Sequence, residues 1–252
     1  MIHTLHEPLP RTDVDKIGTS DRQRVLVMGG GGIAPWVVTA TLGIVLNLLD
    51  KWYHPVGLVG SWEGVQREGD MGLINFANIP KTSLEALFAR YEGGTCLWPG
   101  RGMLKRDEFI RMRRLQEKIG FIGTAVVGGD GTISGSQALN YSLTPDGQPV
   151  ANTVACIKTI DADAEGSLSI GFLTSAHEYA KAVQAMMREI EWEKGIGIVW
   201  VYGRDNGHLA LHAATLAAWE NASVITLVPE FPISRKQFLD RVYALKQQYE
   251  YV

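Results

Sequence analysis

Cysteine is scarce in this chain: Cys96 and Cys156, far apart, are the only two in 252 residues. Two distant thiols make neither a disulfide framework nor a close-spaced pair of metal ligands, so a reducing, cytoplasmic compartment is expected. An excess of one charge is also missing. The formal net charge is −3, which removes the electrostatic argument for nucleic acid or an anionic membrane as a partner. No long unbroken apolar run occurs. The longest stretch, Ile33 to Leu49, is too short and too interrupted for a membrane span and reads as a buried helix. The first residues, MIHTLHEPLPRTDVDKIGTSDRQR, lack the apolar centre of a signal peptide. Residues 1–23 are expected to form a flexible N-terminal arm. Internal repeats and low-complexity tracts are absent too.

What is present is an alternation. Val25–Met28, Val56–Val59, Ile122–Val127, Thr153–Ile157, Gly197–Tyr202 and Val224–Val228 read as short apolar strands. Between and after them, Val37–Asp50, Thr82–Tyr91, Asp107–Lys118, a stretch from Ser134, Ser175–Glu191, His208–Trp219 and Ser234 to about Gln248 read as helices. Thr82 with Glu85, and Ser234 with Gln237, have capping-box spacing. Strands alternating with helices predict an α/β fold with a parallel sheet. Ligands of such sheets bind at the strands' carboxyl ends. Four glycine-rich or polar segments fall at such ends: GGGG (29–32), GGDGT (128–132), KTIDAD (158–163) and YGRDNGH (202–208). They are expected to face one cleft.

GGDGT follows a strand and precedes a helix. It is either a tight turn or a phosphate loop, in which backbone N–H groups approach an anion and Asp130 acts through Mg2+. GGGG lacks the spacing of a dinucleotide fingerprint and by itself reads as a turn. KTIDAD by itself reads as a solvated loop with two carboxylates. Beside GGDGT it suggests phosphoryl transfer, with an aspartate taking a hydroxyl proton and Lys158 steadying phosphate oxygens. Arg101 lies in a glycine-rich loop and is either a phosphate bridge or a surface charge. His208 and His212 have zinc-compatible spacing without a third ligand, and read as a helix-face pair. Lys105–Arg114 reads as a solvated helix face. Most of the seven tryptophans are assigned to packing.

Together these segments resemble the phosphofructokinase family, with coverage from about Arg24 to the C-terminus. GGDGT is similar to its nucleotide-phosphate loop and KTIDAD to its P-K-T-I-D-N-D segment. SIGFLTSA (169–176), VYGRDNGHLAL (201–211), VPE (228–230) and GGTCLWPGR (93–101) resemble further family motifs in the same order. The resemblance implies Rossmann-like parallel-sheet lobes with helices on both faces. It implies a phosphoryl-donor lobe over 24–160 and an acceptor lobe over 161–252. The implied activity is phosphoryl transfer from ATP, with Mg2+, to a sugar phosphate such as fructose 6-phosphate or to a related sugar or polyol. Asp161 would be the base, with Thr159, Asp163 and Lys158 beside it. Asp130 would hold the metal. Gly31, Gly32, Arg101, Gly129, Gly131 and Thr132 would line the donor. Tyr202, Gly203, Arg204 and Glu230 would contact the acceptor. Gly131 favours ATP, because a carboxylate there would crowd and repel the inner phosphate, while Lys158 keeps pyrophosphate open. The resemblance also implies a homodimer or homotetramer, or a hetero-oligomer with a longer relative.

The departures are specific. Ile33 and Trp36 stand where the family's first loop carries an acid and a glycine, and Ala162 replaces an asparagine. The chain ends at KQQYEYV, where typical members continue with residues that grip the sugar's phosphate. The acceptor lobe is therefore expected to be truncated, with Lys194 as the nearest cation. Two readings follow: a kinase, or a catalytically inactive regulatory or structural subunit that still binds nucleotide.

Overall fold

The computed structural model describes residues 11–12, 17–31, 35–66, 72–91, 95–98, 100, 106–141, 152–162, 169–203, 205–218 and 223–252. The chain forms two compact units, Met1–Lys158 and Thr159–Val252.

In the first unit the order is β1 (Arg24–Gly29), α1 (Pro35–Asp50), β2 (His54–Leu58), α2 (Ser61–Gln66), β3 (Leu73–Asn75), α3 (Lys81–Ala89), α4 (Arg106–Ile119), β4 (Phe121–Gly128), α5 (Asp130–Tyr141) and β5 (Asn152–Ile157). The sheet order is β3-β2-β1-β4-β5. All pairs are parallel except β2 with β3, which is antiparallel. Successive strand residues point to opposite faces. Leu26 and Met28 of β1 therefore enter one core with Trp62, Met112, Leu115 and Phe121. Val27 enters another with Val38, Val45, Leu84 and Phe88. A central strand buried on both faces is the signature of a helix-covered parallel sheet. The stretch expected to be a free arm is anchored at two described residues. Thr12 N–H donates to Leu73 C=O at 2.7 Å, and Ile17 is buried in the first core.

The second unit holds α6 (Phe172–Glu193), α7 (His208–Ala218) and α8 (Arg235–Tyr249). Helix α8 opens on the expected capping box, formed in both directions between Ser234 and Gln237. No helix among the described residues is long and apolar enough to cross a membrane.

Four sequence expectations are corrected. Helix α5 starts at Asp130 rather than Ser134. The Thr82–Glu85 box does not form, because α3 begins at Lys81 behind Pro80 and takes no side-chain cap. Residues 197–202 and 224–228 join no strand ladder among the described residues. Their alternation is nonetheless real: Ile196, Ile198, Trp200 and Tyr202 are exposed, while Gly195, Gly197, Val199 and Val201 are half-buried. Alternation decides which side chains face a core, and a ladder needs a neighbouring strand as well.

Candidate active site

Three parallel strands of the first unit end side by side. Gly29 pairs with Val127, and Gly128 with Ile157. The pairing continues past the strand ends: Gly30 N–H donates to Val127 C=O and Lys158 N–H to Gly128 C=O, both at 2.8 Å. The GGGG and GGDGT segments and the lysine of KTIDAD thus share the carboxyl edge of the sheet, where such sheets bind ligands. Gly31 N–H adds another segment, donating to Gly100 C=O at 3.0 Å. This brings the WPGRG loop to the same edge. Gly32 and Arg101 lie outside the described residues.

The Lys158 ammonium sits over this edge. A Cβ built on Gly31 would lie 3.7 Å from Lys158 Nζ and 3.9 Å from Gly129 N. Gly31 has φ +86°, a conformation that glycine adopts without a Cβ penalty. Next to it, α5 begins. Its first hydrogen bonds run from Thr132 and Ile133 N–H to Gly129 C=O, both at 3.0 Å. The N–H groups of Asp130 and Gly131 precede them and belong to the open end of the helix. A helix N-terminus beside an ammonium favours an anion. Asp130 is exposed there and Gly131 half-buried.

Thr132 faces inward. It is only 5% exposed. A Cβ on Gly30 would lie 2.2 Å from its Oγ1, and one on Gly128 would lie 2.5 Å from its Cβ. These two glycines therefore make room for a helix side chain wedged between two strand ends. Ser61 lines the same spot: its buried hydroxyl has no hydrogen-bond partner, and its φ is +52°. Neither the wedge nor Ser61 was legible in the sequence. The only signal was that glycines cluster where a helix packs closely on strands.

In the second unit Thr159 is buried, and its Oγ1 accepts from Asp161 N–H at 3.1 Å. Asp161 comes to the YGRDNGH loop, since a Cβ on Gly203 would lie 3.9 Å from Asp161 Oδ1. Gly203 has φ +141° and leaves the carboxylate room. Gly207 N–H donates to Glu230 Oε1 at 2.7 Å. That bond, then the Glu230 backbone and the nearby His208, hold the Glu230 carboxyl below the usual carboxylate range. Tyr202 is exposed, and its N–H donates to Tyr179 Oη at 3.4 Å. Asp161, Tyr202, Gly203 and Glu230 thus belong to connected segments of one unit. Asp163 and Arg204 lie outside the described residues.

The two helix histidines have separate partners. His208 Nδ1 lies 3.3 Å from Ala162 O, and the His212 ring packs edge-on against Phe172 at 4.9 Å. Among the described residues no cluster of three His, Cys, Asp or Glu is placed for a metal. Lys194 follows the end of α6 and pairs with Glu250 at 2.6 Å. It stands at the amino end of the extended run that leads to Tyr202. The acceptor segments are at the other end.

A phosphofructokinase family profile matches residues 24–251. The chain belongs to the phosphofructokinase family. It is 30% identical over 223 residues to an ATP-dependent 6-phosphofructokinase of Entamoeba histolytica, covering 87% of this chain and 48% of that one. It is 27% identical over 240 residues to an ATP-dependent 6-phosphofructokinase of Chloroflexus aurantiacus, covering 91% and 62%. The chain thus spans about half to three-fifths of the length of these relatives. Among solved structures, a pyrophosphate-dependent phosphofructokinase from Marinobacter aquaeolei superposes with a TM-score of 0.76 at 19% identity, covering 91% of this chain and 58% of that one. Pichia pastoris phosphofructokinase in the T-state gives 0.76 at 18%, covering 94% and 24%. At such identities the structural likeness speaks for the fold.

Proposed function

We propose that this phosphofructokinase-family chain transfers a phosphoryl group from ATP to a hydroxyl of a sugar phosphate such as fructose 6-phosphate, or of a related sugar or polyol. The observation that carries this is the Lys158 ammonium over Gly31 and Gly129 at the head of α5. It supports a donor-phosphate site made of backbone N–H groups, a helix end and one cation. Gly129, Gly131 and the loop of Gly31, Gly32 and Arg101 line it, with Thr132 locking the helix in place. The relatives' names support ATP as donor, and Lys158 leaves pyrophosphate to be tested beside it.

Mg2+ is bound through one or two carboxylates plus substrate phosphates, rather than by a cage of protein ligands. A single exposed Asp130 in the first turn of α5 fits that demand. Once bound, the ion would draw charge from the transferring phosphate.

On the acceptor side, Asp161 takes the proton of the attacking hydroxyl. Thr159 holds the Asp161 backbone, and Gly203 leaves its carboxylate open. Glu230, kept ionised by Gly207, accepts from acceptor hydroxyls beside Tyr202 and Arg204. Asp163 and Lys158 balance the charge around the reacting phosphate.

The test is phosphoryl transfer by the purified chain with Mg2+. ATP and pyrophosphate are the donors, and fructose 6-phosphate, free sugars, polyols and nucleosides the acceptors. Turnover on one acceptor, lost in Asp161→Asn, is expected. Tight Mg-ATP binding without transfer to any acceptor overturns the kinase reading. It favours the second one, an inactive nucleotide-binding subunit, for which the engagement of Lys194 by Glu250 speaks.

A further inference from the structure

The second unit carries an apolar groove of about 480 Å³, lined by residues 196–201 and 223–227 together with parts of α6, α7 and α8 and with Val252. The two runs, GIGIVWVY and SVITLV, are rich in β-branched and aromatic residues, which fit strands. No ladder joins them to each other or to anything else among the described residues. Isolated extended backbone of this composition leaves its N–H and C=O groups to water or to a guest.

Three observations describe the guest. The first gives its direction. Val252 N–H donates to Gly195 C=O at 3.3 Å, and Val252 C=O accepts from Gly197 N–H at 2.8 Å. One residue bonded to both neighbours of Ile196 is the unit of a parallel ladder. An extended residue thus already lies parallel to the run at the amino end of the groove. The second is a buried polar group without a partner. The Ser223 hydroxyl lines the groove, is 2% exposed and finds no hydrogen bond. A buried orphan of this kind costs stability unless another polar group reaches it. The third is the bare face beside the groove. Ile198 is 82% exposed and Trp200 91%, and contiguous apolar surface of this kind marks an interaction site. The opposite face is closed, since a Cβ on Gly197 would lie 2.7 Å from Met186 Sδ.

We propose that this groove is a β-augmentation site for one extended apolar strand of a second protein. The strand would insert between residues 196–202 and 223–228, parallel to both, and complete a sheet with main-chain hydrogen bonds. A parallel guest would end beside Tyr202 and Glu230, at the carboxyl ends of the two runs. This inference does not rest on the phosphoryl-transfer reading and stands or falls separately from it.

The probe is a synthetic peptide of about ten residues, a strand's length, with alternating valine and threonine and a lysine at each end. It is added to the full chain and followed by amide hydrogen exchange. Exchange of residues 198–201 and 224–227 is expected to slow by about tenfold or more at saturation, as pairing protects amides from opening. The same peptide N-methylated at alternate residues should give no protection, because it cannot complete a ladder. Equal protection by both peptides would mean greasy adsorption and overturns the proposal, as does protection by neither. If the chain alone sediments as a dimer with these amides already protected, a second copy fills the groove and the proposal fails.

Discussion

His208 holds the backbone of Ala162: its Nδ1 lies 3.3 Å from the Ala162 carbonyl oxygen, one residue past Asp161. Ala162 needs such a partner because its φ is +53°. That left-handed conformation costs an alanine roughly 1–2 kcal/mol, while asparagine visits it readily. Ala162→Asn should therefore stabilise the chain by about 0.5–1 kcal/mol, measured as a shift in urea midpoint at constant slope. An unchanged or lower midpoint would show that the histidine contact already removes the strain.

Ser61 presents the same conflict in the first unit, with a buried hydroxyl added to it. Its φ is +52° and its Oγ has no partner. Ser61→Gly removes both burdens and should raise stability by about 1–2 kcal/mol. If donor binding weakens in the same variant, the hydroxyl is serving the ligand. If stability falls, the hydroxyl is satisfied in solution.

The Thr132 wedge predicts an asymmetric rescue. Gly30→Ala places a methyl group 2.2 Å from Thr132 Oγ1 and should cost about 1–3 kcal/mol, the range of overpacking. Thr132→Ala removes that atom and should restore much of the loss in the double variant. Gly128→Ala meets Thr132 Cβ at 2.5 Å, which alanine retains, so the same second change should not rescue it. Thermal melts of the four single and double variants decide this, and equal rescue would refute the packing described.

His54 predicts a pH dependence of stability. Its ring is buried, with Nε2 2.8 Å from Asn75 Oδ1 and Nδ1 2.8 Å from Ser20 Oγ. Burial, opposed by the Asn75 bond and reinforced by Arg24 and Arg22, lowers its pKa from 6.5. The unfolded chain then binds the proton more tightly than the folded one. Stability from this group is complete above the unfolded pKa and falls as pH drops through 6.5 towards the lowered value. Urea midpoints measured from about pH 7.5 down to 5.5 should decline, and an NMR titration should place His54 below 6.5. A titration above that value would contradict the buried ring.

Much of the first unit was legible because its strands are buried on both faces, which writes continuous apolar runs such as Val25–Met28. Helix α8 was legible because Ser234 and Gln237 fix its start. The start of α5 was not, since GGDGT has the composition of a loop and becomes a first turn only when Thr132 packs inward. Helix α2 and strand β3, six and three residues long, carry too few periods to stand out. At the site, motif residues such as Lys158 and Asp161 were legible through their chemical type. Ser61 and His208 act through placement alone, and a tertiary contact leaves no local pattern.

The wedge also bears on history. Because Gly30 and Gly128 both accommodate Thr132, these positions cannot drift independently in a lineage. A larger residue at 30 is open only after 132 has already shrunk. At 128 even an alanine at 132 opens nothing. The order of substitutions is thereby constrained by geometry, whatever phosphate the loop has come to hold.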